Sequence, residues 1–546
     1  MRSITRLRPI AGRAARLPLS IAFGACMLGA GFPAFGATCA SLAQLSLPAT
    51  TITSAQAVPA GSFTPPKSQP IANLPAFCRV TGFIQPSSDS HVEFEVWLPA
   101  SGWNGKLQGV GNGGFAGSID YDGAGLSGAV SRGYAAAATD TGHQGSGIDA
   151  SWALGHPEKI IDFGYRAIHE TVVKAKAIVA AFYGNGPTRA YFSSCSNGGR
   201  QALMEAQRYP EDYDGIIAGA PANYWTHLMA GFLWNSVATV GDAKTYIPSR
   251  KMAALQAATL AACDALDGLK DGVIDDPTHC QFDPATLLCK GEETDACLTA
   301  RQIASLRKIY SGPATPKGEN LFPGYVVGGE AGQGGWAAWI TGGAPKGSLH
   351  FMFGTQCFSN MVADNAAWDY TTFDVDASTR AADKKIGPIL NSIDPDLSRF
   401  RARGGKLIMY HGWSDAAIAP VNAINYYRSA VAKAGTKEAA AFLRLFMVPG
   451  MQHCGGGPGP DVFGQFGAPQ GDADHDVAKA LERWVEAGVA PDRIIATKFN
   501  EAKPPVAVRT RPLCHYPEVA RWKQTGSTND AANFTCAAPA ASKTGK

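Results

Sequence analysis

The sequence predicts an α/β protein: a mainly parallel sheet, covered by helices on both faces and interrupted by one long insertion. Three observations carry this. Strand-like and helix-like stretches alternate from residue 91 to 219 and resume from 404 to 487, as they do where parallel strands are linked by helices. Between these blocks, Asn223 to Asp394 changes texture, being rich in Gly, Trp and Cys with little alternation, and reads as an inserted domain. Finally, the apolar run Ala190–Phe192 meets small residues, then Ser196 and a glycine pair, then the helix-like Gln201–Tyr209. That is a strand, a sharp turn and a helix start with a serine at the apex.

In chain order, Met1–Gly36 reads as an export signal. Arg2, Arg6, Arg8, Arg13 and Arg16 form a basic start, Leu17–Phe32 is mostly apolar or small, and Ala34-Phe35-Gly36 is a small-x-small cleavage site. Cys26 as a lipidated residue is disfavoured by Phe23. The formal charge of +3 includes those five arginines, so the exported chain is slightly acidic and gives no reason to expect nucleic acid. Nothing after this segment is apolar for long enough to span a bilayer. The 45% apolar and 17% charged content is that of a globular chain.

Thr38–Ala76 reads as an irregular lead-in. His91–Pro99 alternates, with Val92, Phe94, Val96 and Leu98 on one face and Glu93 and Glu95 on the other, a half-buried strand. Gly105–Gly117 is a strand running into a glycine-rich loop, and Tyr134–Thr139 a small-residue strand for a sheet interior. Asp162 caps a helix bearing Ile168, Val172, Ala175, Val179 and Phe182. Ile216–Gly219 is a buried strand, as are Lys406–Tyr410 and Phe442–Val448; Val421–Ala434 and Asp474–Ala487 are helices. The expected organisation is therefore signal 1–36, core 37–222, insert 223–394 and core again 395–546.

A serine hydroxyl needs a base within hydrogen-bond reach, and the base needs a group to orient it. In α/β-hydrolases the nucleophile sits on such an elbow, and the acid and then the histidine follow on loops after strands. Ser194 occupies the place of the first glycine in G-x-S-x-G, so only half of that pattern is present. Asp415 follows the strand ending at Tyr410, and His453 follows the strand ending at Val448. Their rivals, His411 and Asp140, stand in the wrong order. A zinc hydrolase would need metal ligands at a spacing the sequence does not offer. Cys195 adjoins Ser196 and Cys454 adjoins His453, so a Cys195–Cys454 disulfide would clamp base to nucleophile. Eleven cysteines follow the signal segment, an odd number, in a chain expected to be exported.

Cys195-Ser196, Asp415 and His453-Cys454 together resemble the serine–aspartate–histidine arrangement with a bridging disulfide of the tannase and feruloyl esterase family, to which MHETase-type monoester hydrolases also belong. The resemblance runs through Trp103–Lys106, Gly111–Gly117, Ala218–Ala222, Cys263–Gly272, Tyr410–Asp415 and Pro449–Cys454. It implies an α/β-hydrolase core with a large lid, hydrolysis of aromatic-acid esters without an organic cofactor, and oxyanion donors from the backbone N–H groups of Asn197 and Gly111. It also implies disulfides Cys39–Cys78, Cys263–Cys280, Cys289–Cys297 and Cys514–Cys536, leaving Cys357 unpaired.

Asp264, Asp267, Asp271 and Asp275 are spaced three or four apart, but Gly268 and Gly272 disfavour a helix. Carboxylates crowded into a loop repel unless a cation lies among them. The family resemblance implies structural calcium held by Asp264, Asp267 and Asp271 with the carbonyls of Leu269 and Val273. Trp336, Trp339, Phe351, Phe353, Phe358 and Trp368 are candidates for an aromatic-binding wall in the lid. MHETase-type enzymes grip a substrate carboxylate with a lid arginine; between Trp336 and Trp368 this chain has only Lys346. The expected partner is thus a ferulate, hydroxycinnamate or gallate ester, such as one derived from plant polymers, rather than a terephthalate monoester. A catalytically dead binding protein on the same fold is the alternative of another class. The expected location is the periplasm or the outside medium.

Overall fold

The computed structural model describes residues 36–465, 467 and 471–539. The export segment expected at Met1–Gly36 lies outside them apart from Gly36. The centre is a nine-stranded sheet. Its strands are β1 (Thr50–Val58), β2 (Phe77–Ile84), β3 (Val92–Pro99), β4 (Lys106–Val110), β5 (Ala135–Thr139), β6 (Arg189–Cys195), β7 (Gly215–Gly219), β8 (Lys406–Gly412) and β9 (Leu443–Val448). They lie in the order β1-β2-β3-β5-β4-β6-β7-β8-β9. The β1–β2, β2–β3 and β3–β5 pairings are antiparallel. From β5 to β9 every pairing is parallel.

Parallel strands are buried on both faces, and the sequence obeys this. β5 is Ala-Ala-Ala-Ala-Thr with every residue buried, thin enough to lie between β3 and β4. Helices α1 (Ala167–Tyr183), α2 (Asn197–Arg208) and α3 (Trp225–Val240) follow, then α4 (Leu349–Gln356), α5 (Val421–Ala434) and α6 (Val477–Ala487). Asp476 caps α6 by accepting the backbone N–H groups of Ala478 and Lys479. No sheet strand falls between residues 223 and 394. Much of that segment builds a separate apolar cluster, from Trp225 and Phe232 to Trp336, Phe353 and Leu390. It also packs on Ala416–Ala419, just after β8.

Three elements differ from the sequence reading. The lead-in contains β1, an edge strand whose burial pattern shows no clean alternation, so its Ser/Thr-rich sequence hides it. Glu95 is buried rather than solvated: its carboxylate accepts Arg79 Nε, Trp97 Nε1 and Tyr121 Oη, each at 2.8 Å. Asp162 does not cap α1. It begins a wide helical turn, Asp162–Arg166, that leads into α1, and its Oδ1 accepts Arg166 Nε at 2.6 Å.

Among the described residues the disulfides are Cys39–Cys78, Cys195–Cys454, Cys263–Cys280, Cys289–Cys297 and Cys514–Cys536, and Cys357 is a buried free thiol.

Candidate active site

Ser196 follows the last residue of β6 and precedes α2 with φ 67° and ψ −125°, a backbone that L-residues rarely adopt and that active sites retain. Tight neighbours explain the two glycines that follow. A Cβ on Gly198 would meet Ser194 Oγ at 1.9 Å, and one on Gly199 would meet the Gly219 carbonyl at 2.2 Å. The elbow thus tolerates Ser194 where a glycine is usual because Gly198 yields the space. Backbone bonds from Ser196 N–H to the Gly219 carbonyl (2.9 Å) and from Ala222 N–H to the Ser196 carbonyl (3.1 Å) hold the turn to β7.

The loop after β9 brings His453 to the serine. Its Nε2 lies 2.9 Å from Ser196 Oγ, and its Nδ1 lies 2.8 Å from Asp415 Oδ2. Cys454, at φ 64°, ties this loop to β6 through Cys195. Asp415 lies just beyond β8, with its side chain fully buried. Oδ1 accepts the N–H groups of Ala417 and Ile418 at 2.8 and 2.9 Å. Burial opposes its ionisation, but the His453 charge and the hydrogen bonds of His411 and His453 outweigh it. The carboxyl is held well below its usual range.

The two rivals take other places. His411 is wholly buried behind Asp415, its Nε2 3.1 Å from Asp415 Oδ2 and 3.0 Å from the Ile418 carbonyl. It shares the aspartate with His453 without reaching the serine. Asp140 Oδ1 accepts N–H groups of Glu93 and Gly142, and burial pushes its carboxyl up.

Ser196 and His453 open onto a cavity of about 50 Å³, walled by apolar and aromatic side chains. A roomier cleft of about 460 Å³, between Tyr224 and Tyr426, holds no nucleophile–base pair, so chemistry rather than size marks the site. Of the six aromatics singled out in the insert, Trp339 and Phe353 line this cavity. Trp336 is buried against Tyr310, Phe358 stacks on Trp368, and Phe351 meets Tyr370. Lys346 lies over the Tyr370 ring. The wall the sequence reading missed comes from α3: Trp225, Leu228, Met229 and Phe232. Their i, i+3, i+4, i+7 spacing is one helix face, but nearly every residue of α3 is buried, so apolar spacing alone could not select it.

Asn197, the first residue of α2, lines the cavity. Gly111 does not: it packs beneath the elbow, where a Cβ would meet Gln201 Oε1 at 2.6 Å and Ser194 Oγ at 2.8 Å. The glycine of that loop that borders the cavity is Gly114. A run of glycines offers several equivalent candidates to a sequence reading.

The carboxylate loop is closed by Cys263–Cys280. Asp264 accepts the N–H groups of Asp271 and Gly272, each at 3.2 Å, and Asp267 accepts that of Leu269 at 2.8 Å. Asp271 pairs with Arg511 at 2.6 Å. Burial, then the neighbouring Asp267, pushes Asp275 up to about 8. Among the described residues no three His, Cys, Asp or Glu side chains are already gathered in a metal-ligating arrangement. The loop's donors are all oxygen, and its carboxylates crowd one another, which is the chemistry a hard divalent cation matches.

A serine elbow on a mainly parallel sheet, with histidine and aspartate on the loops after β9 and β8, defines an α/β-hydrolase. The profile described as tannase and feruloyl esterase matches residues 78–537, and the chain belongs to that family of carboxylic ester hydrolases. An uncharacterised esterase of Xanthomonas campestris pv. campestris is 46% identical over 92% of this chain and 91% of its own length. The mono(2-hydroxyethyl) terephthalate hydrolase of Piscinibacter sakaiensis is 35% identical over 87% of each chain. Feruloyl esterase B of Aspergillus oryzae superposes with a TM-score of 0.84 at 30% identity, covering 91% of this chain and 99% of that one.

Proposed function

We propose that the chain hydrolyses esters of phenolic aromatic acids, feruloyl and other hydroxycinnamoyl or galloyl esters, with Ser196 as nucleophile. The relay of 2.9 and 2.8 Å from Ser196 through His453 to Asp415, opening onto an aromatic-walled cavity, carries this reading. Ser196 Oγ attacks the ester carbonyl as its proton passes to His453 Nε2, and Asp415 orients the imidazole and stabilises its charged form. The tetrahedral oxyanion is met by the Asn197 N–H at the start of α2 and by the loop at Gly114. His453 returns the proton to the leaving alcohol, and water then cleaves the acyl-enzyme by the same path.

The relative that hydrolyses mono(2-hydroxyethyl) terephthalate supports a second acyl group. Its free carboxylate favours a cation in the acyl pocket, and no lysine or arginine lines this cavity among the described residues. Phenolic acids, which carry no second carboxylate on the ring, fit the wall better. The intact relay argues against the binding-protein alternative, since binding needs no base aligned on a serine.

Asp264, Asp267 and Asp271, with the carbonyls of Leu269 and Val273, would hold calcium as a structural clip within the insert. Five disulfides fit an oxidising compartment, consistent with export, and no described helix is long and apolar enough to cross a membrane.

The test is hydrolysis of methyl ferulate, methyl gallate and mono(2-hydroxyethyl) terephthalate by wild type and Ser196→Ala. Turnover of a phenolic ester, reduced by about 10⁴-fold or more in Ser196→Ala, is expected. Turnover of the terephthalate ester alone would overturn the acyl assignment, and full activity of Ser196→Ala would overturn the mechanism.

A further inference from the structure

Arg200 lies one helical turn after Asn197 in α2 and is wholly buried. Its Nε donates to Asn197 Oδ1 at 2.8 Å. Its terminal nitrogens donate to the carbonyls of Gly164 at 2.8 Å and Phe163 at 2.9 Å. The guanidinium also stands over two rings, Phe163 at 4.8 Å and Trp225 at 5.3 Å, and Trp225 lines the acyl cavity. Among the described residues no carboxylate bonds to it.

Burial works against this charge, yet an arginine stays protonated inside proteins. A buried charge with no counter-charge opposes folding. Asn197 carries a second such feature, because its Nδ2 is buried without a hydrogen-bond partner. A core selected for stability alone would give Arg200 a carboxylate and Asn197 an acceptor. Both departures fall beside the backbone N–H that meets the oxyanion, where a fixed positive field assists the reaction.

We propose that Arg200 is a positioning residue for ester hydrolysis: it clamps Asn197 at the start of α2 and keeps an unneutralised positive charge behind the oxyanion. The inference rests on the serine-esterase reading above.

The experiment compares wild type, Arg200→Lys, Arg200→Met and Asn197→Ala for kcat and KM on a phenolic methyl ester. It adds thermal melting and affinity for an arylboronic acid. The boron of that probe takes the Ser196 oxygen and becomes a tetrahedral anion, while His453 takes the proton. In Arg200→Met, kcat is expected to fall about 10- to 100-fold with KM within about threefold, and boronate affinity to fall in parallel. Arg200→Lys, which keeps the charge without the fork, should lie between the two.

Wild-type kcat and boronate affinity in Arg200→Met would overturn the role. So would a loss of kcat that follows the melting temperature alone while boronate affinity is kept. If Arg200→Met does not fold, Asn197→Ala decides: a lower kcat and weaker boronate binding at an unchanged melting temperature support the clamp, and wild-type values overturn it. Absence of wild-type turnover on every ester would instead bring down the esterase reading, and this inference with it.

Discussion

The indole of Trp339 meets the imidazole of His453 nearly edge-on, with ring centroids 5.1 Å apart. The same indole runs almost parallel to Phe353 at 6.1 Å. One residue of the insert thus both touches the His453 imidazole and bounds the cavity beside Ser196. At about 50 Å³ that space is far below the roughly 300–1,000 Å³ of ligand-sized sites, so the proposed aromatic acyl group would enter only as the wall gives way.

Trp339→Ala should therefore widen the acyl preference. The kcat/KM ratio of methyl sinapate to methyl p-coumarate is expected to rise about 10-fold or more, while kcat falls several-fold as His453 loses its edge contact. An unchanged ratio would show that Trp339 does not limit acyl size.

Cys195 and Cys454 flank the serine and the histidine in sequence and are bonded across 259 residues of chain. Closing so long a loop restricts the unfolded state, which contributes about 2–5 kcal/mol in typical cases. Its position adds a second effect, since it holds the His453 loop against β6. Mild reduction should abolish activity, and Cys195→Ser/Cys454→Ser should lose kcat far more than it gains KM. A fully active double variant would sink the idea of a clamp.

The polar relay was legible in the sequence because each member follows a strand that reads clearly: Phe192, Tyr410 and Val448 end apolar runs, and small or glycine-rich turns succeed them. What the strands enclose was not. α3 is apolar on nearly all sides, so nothing in Trp225–Phe232 distinguishes a cavity wall from a core face. Glu95 alternates like a solvated residue, and only folding reveals that Arg79, Trp97 and Tyr121 converge on it. Gly111 and Gly114 are alike in composition; the three-dimensional path of the loop alone separates the one packed under Ser194 from the one beside Ser196. β1 pairs with β2 at the sheet edge, but its burial lacks the sustained alternation that marks a half-buried strand.

The acidic loop yields a test that does not depend on substrate. Asp264, Asp267 and Asp271 lie between Cys263 and Cys280, so a cation there would stabilise the insert without touching the cavity. Excess EGTA should lower the melting temperature by several degrees, and added calcium should restore it. Asp267→Asn should melt lower than wild type in calcium and respond less to the chelator. A melt indifferent to both reagents would mean that no calcium is held by this loop.

His350 gives the pH dependence of stability a definite sign. It is wholly buried, stacked on Phe232 at 4.0 Å. Its Nδ1 accepts the Asn235 amide at 3.3 Å, and its Nε2 donates toward the Ala417 carbonyl at 3.3 Å. These bonds suit a neutral ring; a second proton on Nδ1 would face the Asn235 amide donor. Burial accordingly pushes His350 down to about 3, with the carbonyls of Ala417 and Ala416 and the Asp415 charge opposing and His453 adding to the shift. An unfolded histidine titrates near 6.5. Between those values the unfolded chain binds the extra proton, so this contribution to stability is full above about pH 6.5 and is lost as pH falls toward 3, by at most about 1.4 kcal/mol per unit. His350→Gln, which does not titrate, should lose stability relative to wild type at pH 7 and recover relative to it at pH 5 and 4. Urea unfolding of both proteins across that range checks this, because the two chains differ in titratable groups only at residue 350. A difference in stability that stays constant with pH would mean that His350 is protonated equally in the folded and unfolded chains, and the neutral buried ring would have to be abandoned.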